Sequence, residues 1–200
     1  MHMQQNDPGE LLEVLDADGR PTGRARPRSA IHVDGDWHRA FHCWIVRNNG
    51  REVVLQRRSL LKDTYADRWD AAAAGHWRFG ESAEEAAREI AEELGIDVSF
   101  DQLVYRGRER SESTFPNGLI DREYHEVYVL DTSLPLRAYK PDPKEVIDVA
   151  AFDADALLAL VSGNISQIDA VEYVSTPVSV TRDDLVPYSV ARLRRTLGRA

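Results

Sequence analysis

The chain has 200 residues, of which 42% are hydrophobic and 30% are charged, a composition typical of a globular protein with one domain. The formal net charge of −9 argues against binding to nucleic acid polymers, because proteins that bind polyanions are usually basic. A single cysteine, Cys43, excludes an internal disulfide and fits a reducing compartment. No apolar run approaches the roughly 18 residues of a membrane span, and the N-terminus lacks a signal-peptide pattern. The sequence therefore predicts a cytoplasmic protein with no membrane partner.

Short runs of aromatic and β-branched residues, bounded by turn residues, predict a series of strands. These strands cover residues 10–16, 40–47, 52–57, 71–74, 103–108, 122–130 and 146–152. Asn48, Asn49 and Gly50 tolerate positive φ and predict a hairpin between the second and third strands. Residues 1–9 are expected to form a flexible lead-in.

Three helices are predicted between or after these strands. The strongest covers 82–94, because Ser82 and Glu85 form a capping box and Gly95 follows as a stop signal. Shorter helices are predicted over 155–162 and 189–198, the last with its arginines turned outward. Since strands and helices alternate without a regular βαβ rhythm, the expected fold is an α+β or α/β sandwich. One domain is expected over 1–200, with 156–200 as a C-terminal helical extension.

Three carboxylates lie close together on the predicted central helix. Glu89, Glu92 and Glu93 have the spacing i, i+3 and i+4, which places them on one arc of about 100° beside the apolar face. They would repel one another unless a cation lies between them, and sites made of oxygen ligands alone suit Mg²⁺ or Mn²⁺. A solvated acidic face is the alternative explanation.

The string around these carboxylates resembles the Nudix box, G-x5-E-x7-R-E-U-x-E-E-x-G-U, in which U is apolar. The matching residues are Gly75, Glu81, Arg88, Glu89, Ile90, Glu92, Glu93, Gly95 and Ile96. The resemblance implies a Nudix-type α/β/α sandwich with a mixed β-sheet, and a hydrolase that cleaves a diphosphate linkage. It also implies that Glu89, Glu92 and Glu93 bind the metal and that Arg88 holds them in place. A surface ion pair of Arg88 with Glu84 or Glu92 is the alternative for the arginine.

One departure from the family pattern concerns the loop glutamate. Six residues, not seven, separate Glu81 from Arg88. In the family, the loop glutamate pairs with the box arginine and assists the metal site. One residue fewer would turn the helix by about 100° relative to its cap. Glu81 is therefore expected not to reach Arg88 in the usual way and to lie outside the metal cluster. The catalytic base is left open among the box glutamates, Glu81 and Glu123.

The surrounding sequence resembles the Nudix subgroup similar to isopentenyl-diphosphate isomerase, over roughly residues 10–155. The similarity rests on the segments 32–41, 55–58 and 69–76 and on Lys62. In the isomerase, a cysteine before the Gly-His pair performs acid–base chemistry. Ala74 occupies that position here and Cys43 does not align with it, so isomerase activity is not expected.

The same resemblance implies a second metal site made of histidines and acids. The matching positions are His32, His38, His76, Asp121 and Glu123. Three histidines with two acids form a suitable shell for a transition metal. Structural histidines with ordinary hydrogen bonds, and a solvated strand face for the two acids, are the alternatives.

Together these patterns predict a Mg²⁺- or Mn²⁺-dependent hydrolase acting on a small-molecule diphosphate of nucleoside-diphosphate or isoprenyl-diphosphate type. Arg57, Arg58 and Lys62 are predicted to bind substrate phosphates, with a solvated basic loop as the alternative. The alternative function is a non-catalytic Nudix-fold binding or regulatory module, for which the shortened loop is the only support. A homodimer is left open.

Overall fold

A computed structural model of the protein describes residues 9–199, so the predicted lead-in lies almost wholly outside the described residues. Its strands are β1 (Leu11–Leu15), β2 (Pro21–Pro27), β3 (Trp37–Arg47), β4 (Glu52–Arg58), β5 (Trp69–Ala71), β6 (Ala73–His76), β7 (Leu103–Thr114), β8 (Ile120–Asp131), β9 (Val146–Asp153), β10 (Gln167–Asp169), β11 (Glu172–Tyr173) and β12 (Ser179–Thr181). Its α-helices are α1 (Arg28–Asp34), α2 (Ala83–Ala86), α3 (Arg88–Leu94), α4 (Ala154–Val161) and α5 (Val190–Thr196).

Most of the strands form one mixed sheet around β3. Its partner β8 runs parallel to it, whereas the pairs of β3 with β4 and with β6 are antiparallel. Almost every residue of β3 is buried, because β3 lies inside the sheet and is covered on both faces. The predicted mixed sheet is confirmed.

Hydrophobic residues build a core on each face of the sheet. Alternate residues of β3 point to opposite faces, so Trp44 enters one core and Phe41 the other. Leu157 of α4 and Leu193 of α5 pack in the core of Trp44, and Ile90 of α3 packs in the core of Phe41. This arrangement confirms the predicted α/β/α sandwich. Within residues 9–199, no helix has both the length and the apolar character needed to cross a membrane.

Several local predictions agree with the structure, and the differences are informative. Asn48, Asn49 and Gly50 have φ values of 51°, 58° and 76°, which confirms the hairpin. The strand predicted over 71–74 is divided between β5 and β6. The pair β7–β8 is longer than predicted, and β2 and α1 were not predicted, because polar residues dominate these segments and hide their periodicity.

The helix predicted over 82–94 is interrupted, contrary to the expectation of one continuous element. Ser82 caps α2 with the predicted capping box, but α2 ends at Ala86 and α3 restarts at Arg88. Ala87 lies between them with a ψ of −8°, and the amide of Ile90 donates to its carbonyl three residues back. A short turn at Ala87 therefore lies in the segment that has one residue fewer than the Nudix pattern. The interrupted helix has fewer regular helical hydrogen bonds than a continuous helix would have.

Candidate active site

Strand register assembles the side chains of a polar centre. Parallel pairing places His38 of β3 directly beside Glu123 of β8, and β6 places His76 beside Ala40. Because residues two apart in a strand share a face, Asp121 and Glu123 point to the same side of the sheet. The centre therefore forms on one face, where neighbouring strands bring together residues that are distant in the sequence.

We call the five residues that converge here the histidine centre: His32, His38, His76, Asp121 and Glu123. The three imidazole rings form a near-equilateral triangle, with centroids 5.1, 5.2 and 5.3 Å apart. Nε2 of His38 lies 3.7 Å from Oδ1 of Asp121 and 3.6 Å from Oε1 of Glu123. Nε2 of His32 lies 3.8 Å from Asp121, and Nε2 of His76 lies 3.8 Å from Glu123.

The donor atoms of the histidine centre suit a metal ion. Nε2 of His32, Nε2 of His38 and Oδ1 of Asp121 are buried and have no hydrogen-bond partner among residues 9–199. Nδ1 of His38 lies 3.1 Å from the carbonyl oxygen of Asp36, which can only accept, so Nδ1 carries a proton and Nε2 is the ring atom through which a neutral His38 would bind a metal ion. Burial lowers the pKa of His32 to about 4, which keeps that imidazole neutral at pH 7.

The two acids of the centre differ in protonation. Burial and the nearby charge of Glu123 raise the pKa of Asp121 to about 7. Burial also acts to raise the pKa of Glu123, but His125 and His38 outweigh it, and the pKa of Glu123 lies well below its ordinary value. The centre thus contains one firmly ionised carboxylate and one whose charge requires a nearby cation.

A cavity of about 250 Å³ opens beside the histidine centre, and its walls carry positive side chains. The cations that line it are Arg28, Arg58, Lys62 and Arg192. Of the three basic residues predicted to bind phosphates, Arg58 and Lys62 are in this wall. Arg57 is not, because it pairs with Asp67 at 2.8 Å.

The glutamates of α3 lie behind this wall and do not line the cavity. Glu93 is fully buried and accepts hydrogen bonds from the side chain of Gln56 and the amide of Ala74. Nζ of Lys62 lies 3.3 Å from Glu93 and 2.5 Å from Glu145. The protein therefore supplies its own cation to Glu93.

The three box glutamates do not share one compact site. Glu89 is fully buried and pairs with Arg88 at 2.9 Å, whereas the side chain of Glu92 is 31% exposed. Within residues 9–199, the sets of three metal-ligating groups with donor atoms inside 4.8 Å contain none of these glutamates. Burial raises the pKa of Glu89 well above its ordinary value, and the neighbouring Glu93 and Glu92 add to the shift against the opposing effect of Arg88.

Glu81 contacts the box arginine, so the expectation that it could not reach Arg88 is wrong. Its Oε1 lies 3.4 Å from Nε of Arg88, and its other oxygen accepts from the amide of Arg78. The expectation assumed an unbroken helix from Ser82, whereas α2 ends at Ala86 and α3 restarts at Arg88. A deletion in an exposed turn is easier to accommodate than rotation of a packed helix.

Comparisons with known proteins place this geometry in a family. A family model for the NUDIX domain matches residues 36–172. The chain belongs to the Nudix family. The chain is 31% identical over 189 residues to an uncharacterized Nudix hydrolase of Clostridium acetobutylicum, covering 90% of this chain and 91% of that one. The matched domain and this relative support an enzyme of the Nudix pyrophosphohydrolase class.

The Nudix relatives also include isomerases. The chain is 36% identical over 154 residues to an isopentenyl-diphosphate Delta-isomerase of Paenarthrobacter aurescens, covering 74% of this chain and 80% of that one. Among solved structures, the fold is similar to that of DR0079 from Deinococcus radiodurans, with a TM-score of 0.57, 21% identity and coverage of 77% of this chain and 90% of that one.

Ala74 lines the cavity next to the Nudix motif, at the position where the isomerase subgroup has its cysteine. Its methyl group has no exchangeable proton. The thiol of Cys43 is fully buried and outside the cavity lining, and burial raises its pKa to about 12. Neither residue offers a thiol for acid–base chemistry in this site.

Several residues at the site were not predicted from the sequence. Arg28, His42, His125, Tyr188 and Arg192 line the cavity, and Glu10 pairs with Arg78 at 2.7 Å. His42 and His125 continue the two-residue period that begins at His38 and Asp121, a signal that could have revealed them. Arg192 contradicts the expectation that the arginines of the last helix point outward, because it reaches over Tyr188 into the cavity.

Proposed function

We propose that this protein is a metal-dependent hydrolase of a small-molecule diphosphate, with its main metal position at the histidine centre. The observation that supports this most strongly is the convergence of three imidazoles and two carboxylates, of which Nε2 of His32, Nε2 of His38 and Oδ1 of Asp121 are buried without a hydrogen-bond partner among residues 9–199. The three imidazole nitrogens favour a transition metal over Mg²⁺, and the two carboxylates are compatible with Mn²⁺ as that metal. A bound divalent ion would supply charge neutralisation at the phosphoryl group and activation of the attacking water.

The cations of the cavity wall are the proposed phosphate-binding groups. Arg28, Arg58 and Lys62 face the same cavity as Glu123 and His76, so phosphate oxygens can meet them beside the histidine centre. Arg28 pairs with Asp63, and Arg58 pairs with Asp70, which holds the two guanidinium groups in place. In this proposal, contacts between the phosphate oxygens and these fixed cations orient the substrate before the reaction.

In this proposal the Nudix box has two tasks. Glu93, with Glu145, fixes the position of the Lys62 ammonium group. Glu89 is fully buried, pairs with Arg88 at 2.9 Å and does not line the cavity, so its proposed role as a ligand of a Mg²⁺ ion that accompanies the diphosphate requires the ion to reach it behind the cavity wall. Mg²⁺ is commonly bound by one or two carboxylates together with substrate phosphates. Glu81 and Arg88 position Glu89, and Glu92 is left at the exposed margin of this network.

The cavity wall favours a polar organic group on the diphosphate. Ser111, Ser113, His42 and His125 contribute polar side chains to the lining besides the cations. An isoprenyl chain would cover this polar surface without forming hydrogen bonds to it, which is unfavourable in a buried site. A nucleoside-type or other hydroxylated group can form hydrogen bonds with them.

A substrate panel tests this function directly. Metal-free protein is supplied with Mn²⁺, Mg²⁺ or both, and the cleavage of nucleoside-diphosphate-linked compounds and isoprenyl diphosphates is followed by phosphorus NMR. We expect Mn²⁺-dependent cleavage of the nucleoside-linked compounds. Cleavage of isoprenyl diphosphates alone would contradict the proposed substrate class, and equal activity with and without Mn²⁺ would contradict the proposed metal position.

A further inference from the structure

A chain of hydrogen bonds connects the last helix to the histidine centre. Nη2 of Arg192 in α5 lies 2.6 Å from Nδ1 of His125, and Nε2 of His125 lies 2.7 Å from Oε2 of Glu123. The other carboxylate oxygen of Glu123, Oε1, faces His38 and His76. Glu123 thus directs one oxygen to His125 and the other to the histidine centre.

Both ends of this chain require the same protonation of His125. The guanidinium group of Arg192 can only donate, so Nδ1 of His125 must accept. The ionised carboxylate of Glu123 can only accept, so Nε2 must carry the proton. The opposite tautomer would bring two donors together at Arg192 and two acceptors together at Glu123.

Arg192 is held firmly enough to impose this tautomer. Its side chain is 11% exposed, lies 4.6 Å from the ring centroid of Tyr188 and forms an ion pair with Glu109 at 2.5 Å. His42 stacks on His125 with centroids 3.8 Å apart and an interplanar angle of 15°. In two parallel stacked imidazoles, the nitrogen lone pairs point in parallel directions. His42 and His125 are therefore poorly arranged to bind one ion together, and the stacking instead holds the ring of His125 in place.

We propose that Arg192 is a positioning residue that fixes His125 in the Nε2–H tautomer and thereby orients Glu123 toward the histidine centre. The inference rests on the proposed function, because only the proposed function makes Glu123 a metal ligand. It gives the C-terminal segment, which has no recognised motif, a defined role in the site. Partners that orient a metal ligand from outside typically contribute about 10- to 100-fold to metal affinity.

The tautomer can be measured in the metal-free protein. Arg192→Met keeps the packing over Tyr188 but removes the donor, and Arg195→Met is the matched control. Arg195 is on the same helix and pairs with the same Glu109 at 2.7 Å. Imidazole nitrogen-15 NMR should show the single Nε2–H tautomer at His125 in the wild type and the control, and a mixture in Arg192→Met. An unchanged single tautomer in Arg192→Met would overturn the inference.

Metal binding provides a second readout. By titration calorimetry with Mn²⁺, Arg192→Met should bind about 10- to 100-fold more weakly than the wild type, while Arg195→Met should match it. His125→Gln keeps an amide donor near the position of Nε2 and removes the Nδ1 atom that accepts from Arg192. In that background, Arg192→Met should have no further effect, and a full additional loss of affinity would overturn the inference.

The outcomes separate this inference from the proposed function. Wild-type protein that binds no Mn²⁺ would overturn the proposed function, while the tautomer measurement would still decide the role of Arg192. Wild-type protein that binds Mn²⁺, together with Arg192→Met of equal affinity, would overturn the inference alone. His125→Gln alone provides a test if Arg192→Met does not fold, because it should retain most of the affinity whereas His125→Ala should not.

Discussion

The histidine centre and the glutamates of the Nudix box differ in what balances their charge. Glu93 is neutralised by Lys62, and Glu89 pairs with Arg88, so the protein provides cations for the box. In the histidine centre, donor atoms face one another and several have no partner in the protein. A cluster with its own counter-charges can support structure by itself, whereas one without them requires an external cation. This difference supports our proposal that the main metal position is the histidine centre.

Removal of a ligand from the histidine centre should have the largest effect. His38→Gln deletes the Nε2 donor that lies closest to both acids. We expect activity to fall by more than about 100-fold, since loss of a ligand exceeds the usual cost of losing an outer partner. Metal content, kcat and circular dichroism of the same preparation would test this. A folded variant with full metal content and normal turnover would contradict the distinction between the two clusters.

Substitutions in the box should separate Glu93 from Glu92. If Glu92 and Glu93 bind the metal, as the Nudix resemblance implies, Glu92→Gln and Glu93→Gln should each lower kcat by orders of magnitude. The structure sharpens this: Glu93→Gln should lower kcat about 100-fold, because displacement of Lys62 by an ångström misplaces a phosphate-binding cation. Glu92→Gln should lower kcat less, since the Glu92 side chain is 31% exposed and its ion pair with Nε of Arg88 is 3.7 Å long. Steady-state kinetics of the two variants measure the difference, and equal losses would contradict it.

Glu81→Gln tests the loop with one residue fewer. We expect Glu81→Gln to lose about as much activity as Glu92→Gln, because both glutamates contact Nε of Arg88, at 3.4 and 3.7 Å. We also expect a decrease in the free energy of unfolding of about 1 kcal/mol or less, typical of a partly exposed ion pair. Urea unfolding and kinetics can be performed on one preparation. Full activity of Glu81→Gln together with reduced activity of Glu92→Gln would contradict this expectation and would show that Glu81 lies outside the catalytic network.

We expect no isomerase activity from this protein. Ala74 cannot exchange a proton, so the protein should not interconvert isopentenyl and dimethylallyl diphosphates. Deuterium incorporation from heavy water, followed by NMR with Mn²⁺ and Mg²⁺ present, is a sensitive measurement. Conversion above the background of a His38→Gln control would show that another group in the cavity replaces the cysteine.

The sequence predicted the parts of this molecule that have local signals. The hairpin at Asn48–Gly50, the cap at Ser82 and the mixed sheet follow from turn residues, capping and periodicity. Interruption of the helix at Ala87 could not be predicted, because it reflects competition between a shorter connection and the fixed positions of the buried glutamates. The pairing of Lys62 with Glu93 and of Arg192 with His125 depends on tertiary packing, which residue spacing does not encode.

The parallel pairing of β3 with β8 has a consequence for how the protein folds and opens. His38 and Glu123 become neighbours only after two strands from distant parts of the chain have paired, a non-local step that forms slowly. An ion bound by both strands would recognise the native pairing and not the unfolded chain. We therefore expect a bound ion to slow amide hydrogen exchange most in β3 and β8, and much less at the exposed outer edge of β7.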